Sequence, residues 1–407
     1  MEWSRETSTE PSESEEQSKT MFVKKILFTA ANVMVMALAA VNIAHAQSWA
    51  ERAEMTMGAI YSHYSDKGTF LLREHYPFDA EAIATYTADG NSKVNPYSFL
   101  WPFSGTLSAT SAAMEYDQAQ KKALKERVLP ALEEYYDDRR SPAAYSSYIT
   151  SAKEDDRYYD DNIWLGIDFT DLYLLTGEKK YLRQAKMIWK FIMSGTDEVL
   201  GGGIYWCEQK KHSKNTCSNA PGAVYAAKLY MATGNRKYLD KAVELYDWTR
   251  TNLLDREDDL YLDNISLSGK IDRRKFSYNS GQMIQAGVLL YRLTSEEKYL
   301  QQARRTAEGC HRRFFRAHED GFRMMKGGNV WFDAVMMRGI VELYLTDHDD
   351  TILKDIEATL EYAWEKARTK EGLFTNRYSV AESDKPLWLL DQAAMAEMFA
   401  RMASVRK

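Results

Sequence analysis

One phrase returns four times along this chain. LLTGEKKYLRQA spans 174–185, MATGNRKYLDKA 231–242 and RLTSEEKYLQQA 292–303, and a worn copy, YLTDHDDTILKD, spans 344–355. Their threonines, Thr176, Thr233, Thr294 and Thr346, stand 57, 61 and 52 residues apart. Self-similarity at such a period marks a supersecondary unit that is stacked or ringed. Each unit reads as a helical hairpin. An apolar run precedes each threonine (Trp164–Leu175, Val224–Met231, Met283–Leu293, Val335–Leu345). The Thr-Gly or Thr-Ser step stops it, and an amphipathic helix follows, carrying Tyr181, Leu182, Ala185, Ile188 and Trp189 on one face. The first helix of each pair is apolar all round and belongs inside; the second belongs outside.

Inner-helix candidates number six: Phe103–Tyr116, Asp160–Leu175, Pro221–Ala232, Asn279–Leu293, Asn329–Leu345 and Pro386–Met402. Outer helices follow five of them, and Ser48–Tyr64 supplies the sixth. The expected fold is all-α, an (α/α)6 barrel of six inner and six outer helices, with an open solenoid as the alternative. No convincing alternating strand run stands out. Residues 47–407 are expected to form a single domain and a monomer.

The first 46 residues read differently. Residues 1–20 are rich in Ser and Glu and poor in aliphatics, which gives them nothing to bury. From Met21 the pattern is that of an export signal. Lys24 and Lys25 precede an apolar stretch from Ile26 to about Ala40, and Ala44-His45-Ala46 offers a small-x-small cleavage site before Gln47. Met21 is thus the expected start, with 1–20 a disordered or misassigned upstream segment. A membrane anchor over Ile26–Ala44 is the competing reading. The polar C-terminus is not expected to be a GPI tail. Export lets cysteines oxidise, and Cys207 and Cys217 are spaced to pair or to stay free, with Cys310 left over.

In a ring of parallel inner helices, all inner N-termini open at one mouth, with their unpaired N–H groups and positive dipole ends. The residues there recur in kind. Trp101 opens the first helix and Tyr159, Asp160 and Asp161 the second. Trp206, Lys214, Asn215 and Asn219 surround the third; Tyr278 and Asn279 open the fourth, Trp331 and Asp333 the fifth, Trp388 the sixth. Aromatic rings beside amides and carboxylates match a sugar ring's apolar faces and rim of hydroxyls. Asp160 and Asp161 are the candidate catalytic pair, because glycoside hydrolysis needs two carboxyls flanking one bond. Close carboxyls resist joint ionisation, which leaves one protonated as the acid, while the helix dipole pulls the other way. Two acids at a helix start are also ordinary capping chemistry.

Other chemistries lack their marks. The net charge of −6 argues against nucleic-acid binding. There is no P-loop, nucleophile elbow or dinucleotide fingerprint, and no paired histidines for a metal. Glu154-Asp155-Asp156 reads as a solvated loop, with calcium the minor reading. No cofactor or metal is expected.

Taken together, Tyr159-Asp160-Asp161-Asn162-Ile163-Trp164, Gly202-Gly203-Ile204-Tyr205-Trp206, Lys214-Asn215 with Ser218-Asn219, and Tyr278-Asn279-Ser280-Gly281 resemble glycoside hydrolase family 76, the α-1,6-mannanases and their fungal cell-wall relatives. The similarity covers most of 95–345. It implies an (α/α)6 barrel and a retaining enzyme cutting internal α-1,6-mannosidic bonds of mannan, with Asp160 as nucleophile and Asp161 as acid/base. The family often has Gln where Ser280 stands, which puts subsite preference in question. A bacterial periplasmic or secreted hydrolase is the expectation. A uronyl hydrolase or epimerase on the same barrel, or an exported non-catalytic glycan-binding protein, are the alternatives.

Overall fold

In the computed structural model, residues 47–79, 96–117 and 119–406 are described; the expected leader and its cleavage site lie outside them. Among the described residues the six outer helices are α1 (Trp49–Tyr64), α3 (120–133, with a π-helical middle at Leu124–Val128), α5 (Lys179–Met193), α7 (Arg236–Leu253), α9 (Glu297–Phe314) and α11 (Thr351–Lys366). The six inner ones are α2 (Leu100–Ala113), α4 (Tyr159–Thr176), α6 (Thr216–Thr233), α8 (Ser277–Thr294), α10 (Val330–Asp347) and α12 (Leu389–Val405). Each inner helix packs on the next, α12 packs back on α2, and α1 covers α12. The twelve helices thus close into the expected ring, not an open solenoid. Helix α6 begins five residues before Pro221, which the sequence marks as a first-turn residue. No helix among the described residues is long and apolar enough to cross a membrane.

The repeated phrase is a chain-reversal device. Gly177, Gly234, Ser295 and His348 all have left-handed backbone, with φ of 69°, 68°, 61° and 61°. Their N–H groups donate to the carbonyls of Tyr173, Tyr230, Tyr291 and Tyr344, closing the helix ends. Each repeat threonine donates its hydroxyl to the carbonyl four residues back. In the first three copies the same oxygen accepts the N–H two residues on, from Glu178, Asn235 and Glu296. In the worn copy the helix runs one residue further, and Thr346 accepts from Arg292 instead.

A second device recurs at the fourth residue of the inner helices, where a polar side chain clamps the backbone of the loop leading in. Asn162 accepts from the N–H of Tyr145 and donates to its carbonyl. Asn219 does the same for Ile204, and Gln392 for Phe374. Ser280 makes half of this clamp, accepting only the N–H of Tyr261.

Short strands, which the sequence reading did not anticipate, line the mouth. β6 (Leu260–Ser266) pairs with β7 (Ile271–Lys275) and with β4 (Ser213–Asn215). Asp258-Asp259 and Asp263-Asn264 look like turn chemistry in sequence, which hid this hairpin. At the seam, β1 (His75–Tyr76) pairs with β10 (Leu387–Trp388) just before α12; the remaining two-residue and three-residue pairs are β2 (Tyr136–Asp137) with β3 (Ala144–Tyr145), β5 (Leu254–Asp255) with β6, and β8 (Phe315–Ala317) with β9 (Arg323–Met325).

Deep in the ring the packing is not wholly apolar. Arg338 of α10 makes a two-pronged pair with Glu397 of α12, at 2.7 and 2.8 Å, and Arg401 reaches the same carboxylate at 2.7 Å. Across the ring, Ser108 of α2 donates to Asp168 of α4 at 2.6 Å. Removing one member of such a set strands a buried charge. Burial pushes Asp168 up to about 7, with Arg338 and the Ser108 hydroxyl opposing. A carboxyl raised in the folded state holds its proton where the unfolded chain has lost it. It therefore costs stability as pH climbs from the ordinary carboxylate range to about 7. Asp168→Asn removes that cost. Its unfolding free energy relative to the parent is expected to climb between pH 4 and 7, with a slope of about 1.4 kcal/mol per pH unit at most; scanning calorimetry across that range checks it, and a flat difference refutes it.

Candidate active site

A cleft of about 340 Å³ opens where the inner N-termini converge. Asp160 and Asp161 lie in the first turn of α4 and both line it. The strand-like segment before α4 is held by the N–H of Tyr159 to the carbonyl of Trp206, at 2.9 Å. That bond brings the Trp206 ring against Tyr158, centroids 5.1 Å apart, and its indole Nε1 donates to Asp160 Oδ2 at 3.0 Å. The glycine turn ahead of Trp206 is required by packing, because Gly203 sits on the Trp248 ring with no room for a side chain and has φ of 83°.

The two acids have unlike surroundings. Burial raises Asp160 to about 6, but the Cys217 thiol, the Trp206 indole and the first-turn N–H groups favour its charged form. Asp161 is driven well above the usual carboxylate range by burial and by the charge of Asp160, with no donor opposing. Desolvation thus outweighs the helix dipole, and the donors split the pair into an ionised Asp160 and a protonated Asp161.

The opposite wall is aromatic. Trp331 is 2% exposed and meets Trp101 and Trp164 edge to face, at 5.4 and 5.1 Å. Tyr278 stacks on Phe332 at 4.2 Å, and Phe276 stands next to both. The rim carries Asn215, Asp263, Asn264 and Arg274. The Trp331 indole N–H and Asp160 Oδ1 have no hydrogen-bond partner among the described residues.

Of the expected residues, Asp160, Asp161, Trp101, Trp206, Asn215, Tyr278 and Trp331 meet in this cleft. The others stand behind it. Tyr159 turns outward, stacked on Phe191 at 4.7 Å and covering Gly195, while its neighbour Tyr158 faces the cleft. Asn219 is spent on its backbone clamp. Asn279 is fully buried, and its side chain favours the charged form of Asp263 at the rim. Trp388 backs the wall edge to face with Trp101, at 5.3 Å, and donates to Glu74. Asp333 lines a neighbouring cavity of about 300 Å³ that shares Phe276 and Phe332 with the cleft. Its carboxyl accepts the hydroxyls of Ser277 and Tyr378. Lys214, expected at the mouth, is buried against Asp197 and three backbone carbonyls. Ser280 faces Tyr261 rather than the cleft, so the departure from Gln alters a loop clamp, not a subsite. All three cysteines are free thiols.

Sequence reasoning missed Glu74, which is 3% exposed and accepts both the N–H of Phe99 and the indole of Trp388. It also missed Phe332, Cys217 as a cleft residue, and the hairpin residues. Among the described residues Arg274 is the one basic side chain lining the cleft, and Asp263 and Asp272 neutralise it. No histidine lines the cleft. Neither feature favours a uronyl hydrolase or an epimerase. Among the described residues no three His, Cys, Asp or Glu side chains gather as a metal site.

The model of glycosyl hydrolase family 76 matches residues 77–404. The chain belongs to this family. Among solved structures, a family 76 mannosidase from Bacteroides thetaiotaomicron is 33% identical, with TM-score 0.80 over 88% of this chain and 98% of its own. An inactive variant of the α-1,6-mannanase of Salegentibacter sp. HEL1_6, with two consecutive aspartates replaced by asparagine and α-1,6-mannotriose bound, shares the fold at 24% identity and TM-score 0.71, covering 88% of this chain and all of its own. A mannan endo-1,6-alpha-mannosidase of Candida glabrata is 31% identical over 109 residues, 25% of this chain and 24% of its own. A meiotically up-regulated gene product of Schizosaccharomyces pombe is 28% identical over 50% of this chain and 48% of its own. The chain thus spans about half or less of the length of the curated relatives it matches.

The split within the acid pair is directly measurable. Trp206→Phe deletes the indole donor to Asp160 without emptying the wall. The titration midpoint of Asp160, followed by carboxyl ¹³C NMR, is expected to rise from about 6 by about one to two pH units, the worth of a hydrogen bond to a charge. An unmoved midpoint would show that the indole does not hold the charge.

Proposed function

We propose that this family 76 chain is a retaining endo-α-1,6-mannanase, with Asp160 as nucleophile and Asp161 as general acid and base. The observation that carries the reading is the consecutive pair in one aromatic cleft with its two protonation states pulled apart. The replacement of two consecutive aspartates in the inactive Salegentibacter variant supports it. Consecutive carboxyls in the first turn of one helix are compatible with the short separation that a covalent route needs, about 5–5.5 Å; an inverting route needs room for a water between them.

In the first half-reaction Asp160 attacks the anomeric carbon while Asp161 gives its proton to the glycosidic oxygen, and the leaving chain departs as an alcohol. In the second, Asp161 takes a proton from water, which attacks the same carbon and releases Asp160. Trp101, Tyr278 and Trp331 offer faces to the mannose rings, and the Trp331 indole and Asn215 offer polar contacts. The first 46 residues support export with cleavage before Gln47, to the periplasm or the medium, as a monomer acting on mannan.

Debranched α-1,6-mannan is the test substrate. Short oligosaccharides are expected, first released in the α configuration by ¹H NMR. Asp161→Asn should lower turnover about 10²- to 10⁴-fold, and Asp160→Asn should abolish the covalent step. Turnover requires an ionised Asp160 and a protonated Asp161. The rate should therefore rise as pH passes about 6 and fall at higher pH as Asp161 loses its proton. Release of the β anomer, or full activity in either variant, would sink the assignment.

A further inference from the structure

A second cavity, of about 570 Å³, lies on the outer wall of the barrel, away from the acid pair. It is formed by Tyr61 and Ser65 at the end of α1, Thr69 and Phe70 in the loop that follows, and Glu126 and Arg127 in the π-helical part of α3. Outer helices run out towards the mouth, so the end of α1 belongs to the face where the cleft opens. The connection is short. Asp66, next to Ser65, accepts the hydroxyl of Tyr97 at 3.2 Å, and Tyr97 stands two residues before Phe99, which lines the cleft.

The chemistry of this cavity is unlike that of a solvated helix surface. The Phe70 ring is 56% exposed. The Tyr61 hydroxyl is buried and has no hydrogen-bond partner among the described residues; burial pushes its pKa up to about 12, so it stays a donor. An unpaired buried hydroxyl is costly unless something else meets it. Arg127 lies over the Tyr61 ring at 4.8 Å, with no carboxylate paired to it among the described residues. Glu126 holds only a 4.0 Å contact with exposed Lys122. One cation and one anion flank an apolar ring and a free hydroxyl. That balance suits a neutral polyol with an apolar face, not an anion or a cation.

We propose that this cavity is a secondary binding site for a mannosyl unit of the same polysaccharide, holding the chain on the mouth face while another stretch occupies the cleft. The sugar's identity rests on the proposed mannanase reading; the site itself rests on the cavity. The mannosyl ring lies on Phe70, and its hydroxyls meet Arg127, Glu126 and the Tyr61 hydroxyl.

The test separates the two. Retardation in gels containing α-1,6-mannan is compared for the Asp160→Asn/Asp161→Asn chain with and without Phe70→Ala or Arg127→Ala. The same two surface changes are placed singly in the otherwise unaltered chain, and hydrolysis of α-1,6-mannotetraose is measured. Melting curves report folding, and Phe70 is exposed enough for its loss to leave the fold intact. Mannan affinity is expected to fall about 3- to 10-fold in each surface variant, the worth of one ring or cation contact, with tetraose hydrolysis unchanged. Equal retardation of parent and variants, or no retardation of the parent, overturns the site. So does a matching loss of tetraose hydrolysis, which would make the cavity part of the cleft. If no chain cleaves tetraose, the mannanase reading fails, while the gels still decide whether the cavity holds mannan.

Discussion

A chain that turns back through one left-handed residue after four of its inner helices, and turns again after the outer helix that follows, sends those inner helices the same way. This constraint underlies everything else in the molecule. Gly177, Gly234, Ser295 and His348 enforce it locally, and the closed ring of α2, α4, α6, α8, α10 and α12 is its global result. Six inner N-termini then share one mouth. What stands in the turns before them becomes a single surface, however far apart in sequence.

At that mouth two opposing forces act on the acid pair. The start of α4 favours negative charge, whereas enclosure by rings removes water and disfavours it. Enclosure wins for both carboxyls, and the donors around Asp160 decide which of them carries the charge. The aromatic wall therefore acts on the protonation of the pair. Glu74 and the hairpin of β6 and β7 fix that wall from outside the ring.

The repeat made the architecture legible, because its period, its apolar runs and its stop residues are local signals. The acid pair was legible because it is consecutive and stands at a helix start. Side-chain direction was not. Tyr158 and Tyr159 are adjacent where a strand-like segment becomes a helix, and a shift of one residue in phase decides which ring faces the cleft. Asn215 and Asn219 are one helical turn apart, so they share a face but not a depth; the deeper one is consumed by the loop behind it. Glu74 was invisible because its partners, Phe99 and Trp388, come from distant parts of the chain. Turn-like aspartates masked the hairpin.

The ring's seam has no covalent link. It is closed by Arg52 to Glu361, Tyr64 to the carbonyl of Leu387, and Glu74 to Trp388, each joining residues more than 300 positions apart. Contacts of such separation reward the chain only after nearly all of it is available. During synthesis the acid pair emerges less than halfway along, but the aromatic wall that desolvates it gains Trp388 and its brace only near the end. The wall behind the pair is therefore braced last, by the contact of Trp388 with Trp101 and Glu74. The surroundings of the pair thus belong to the closed ring and not to the segment that carries it.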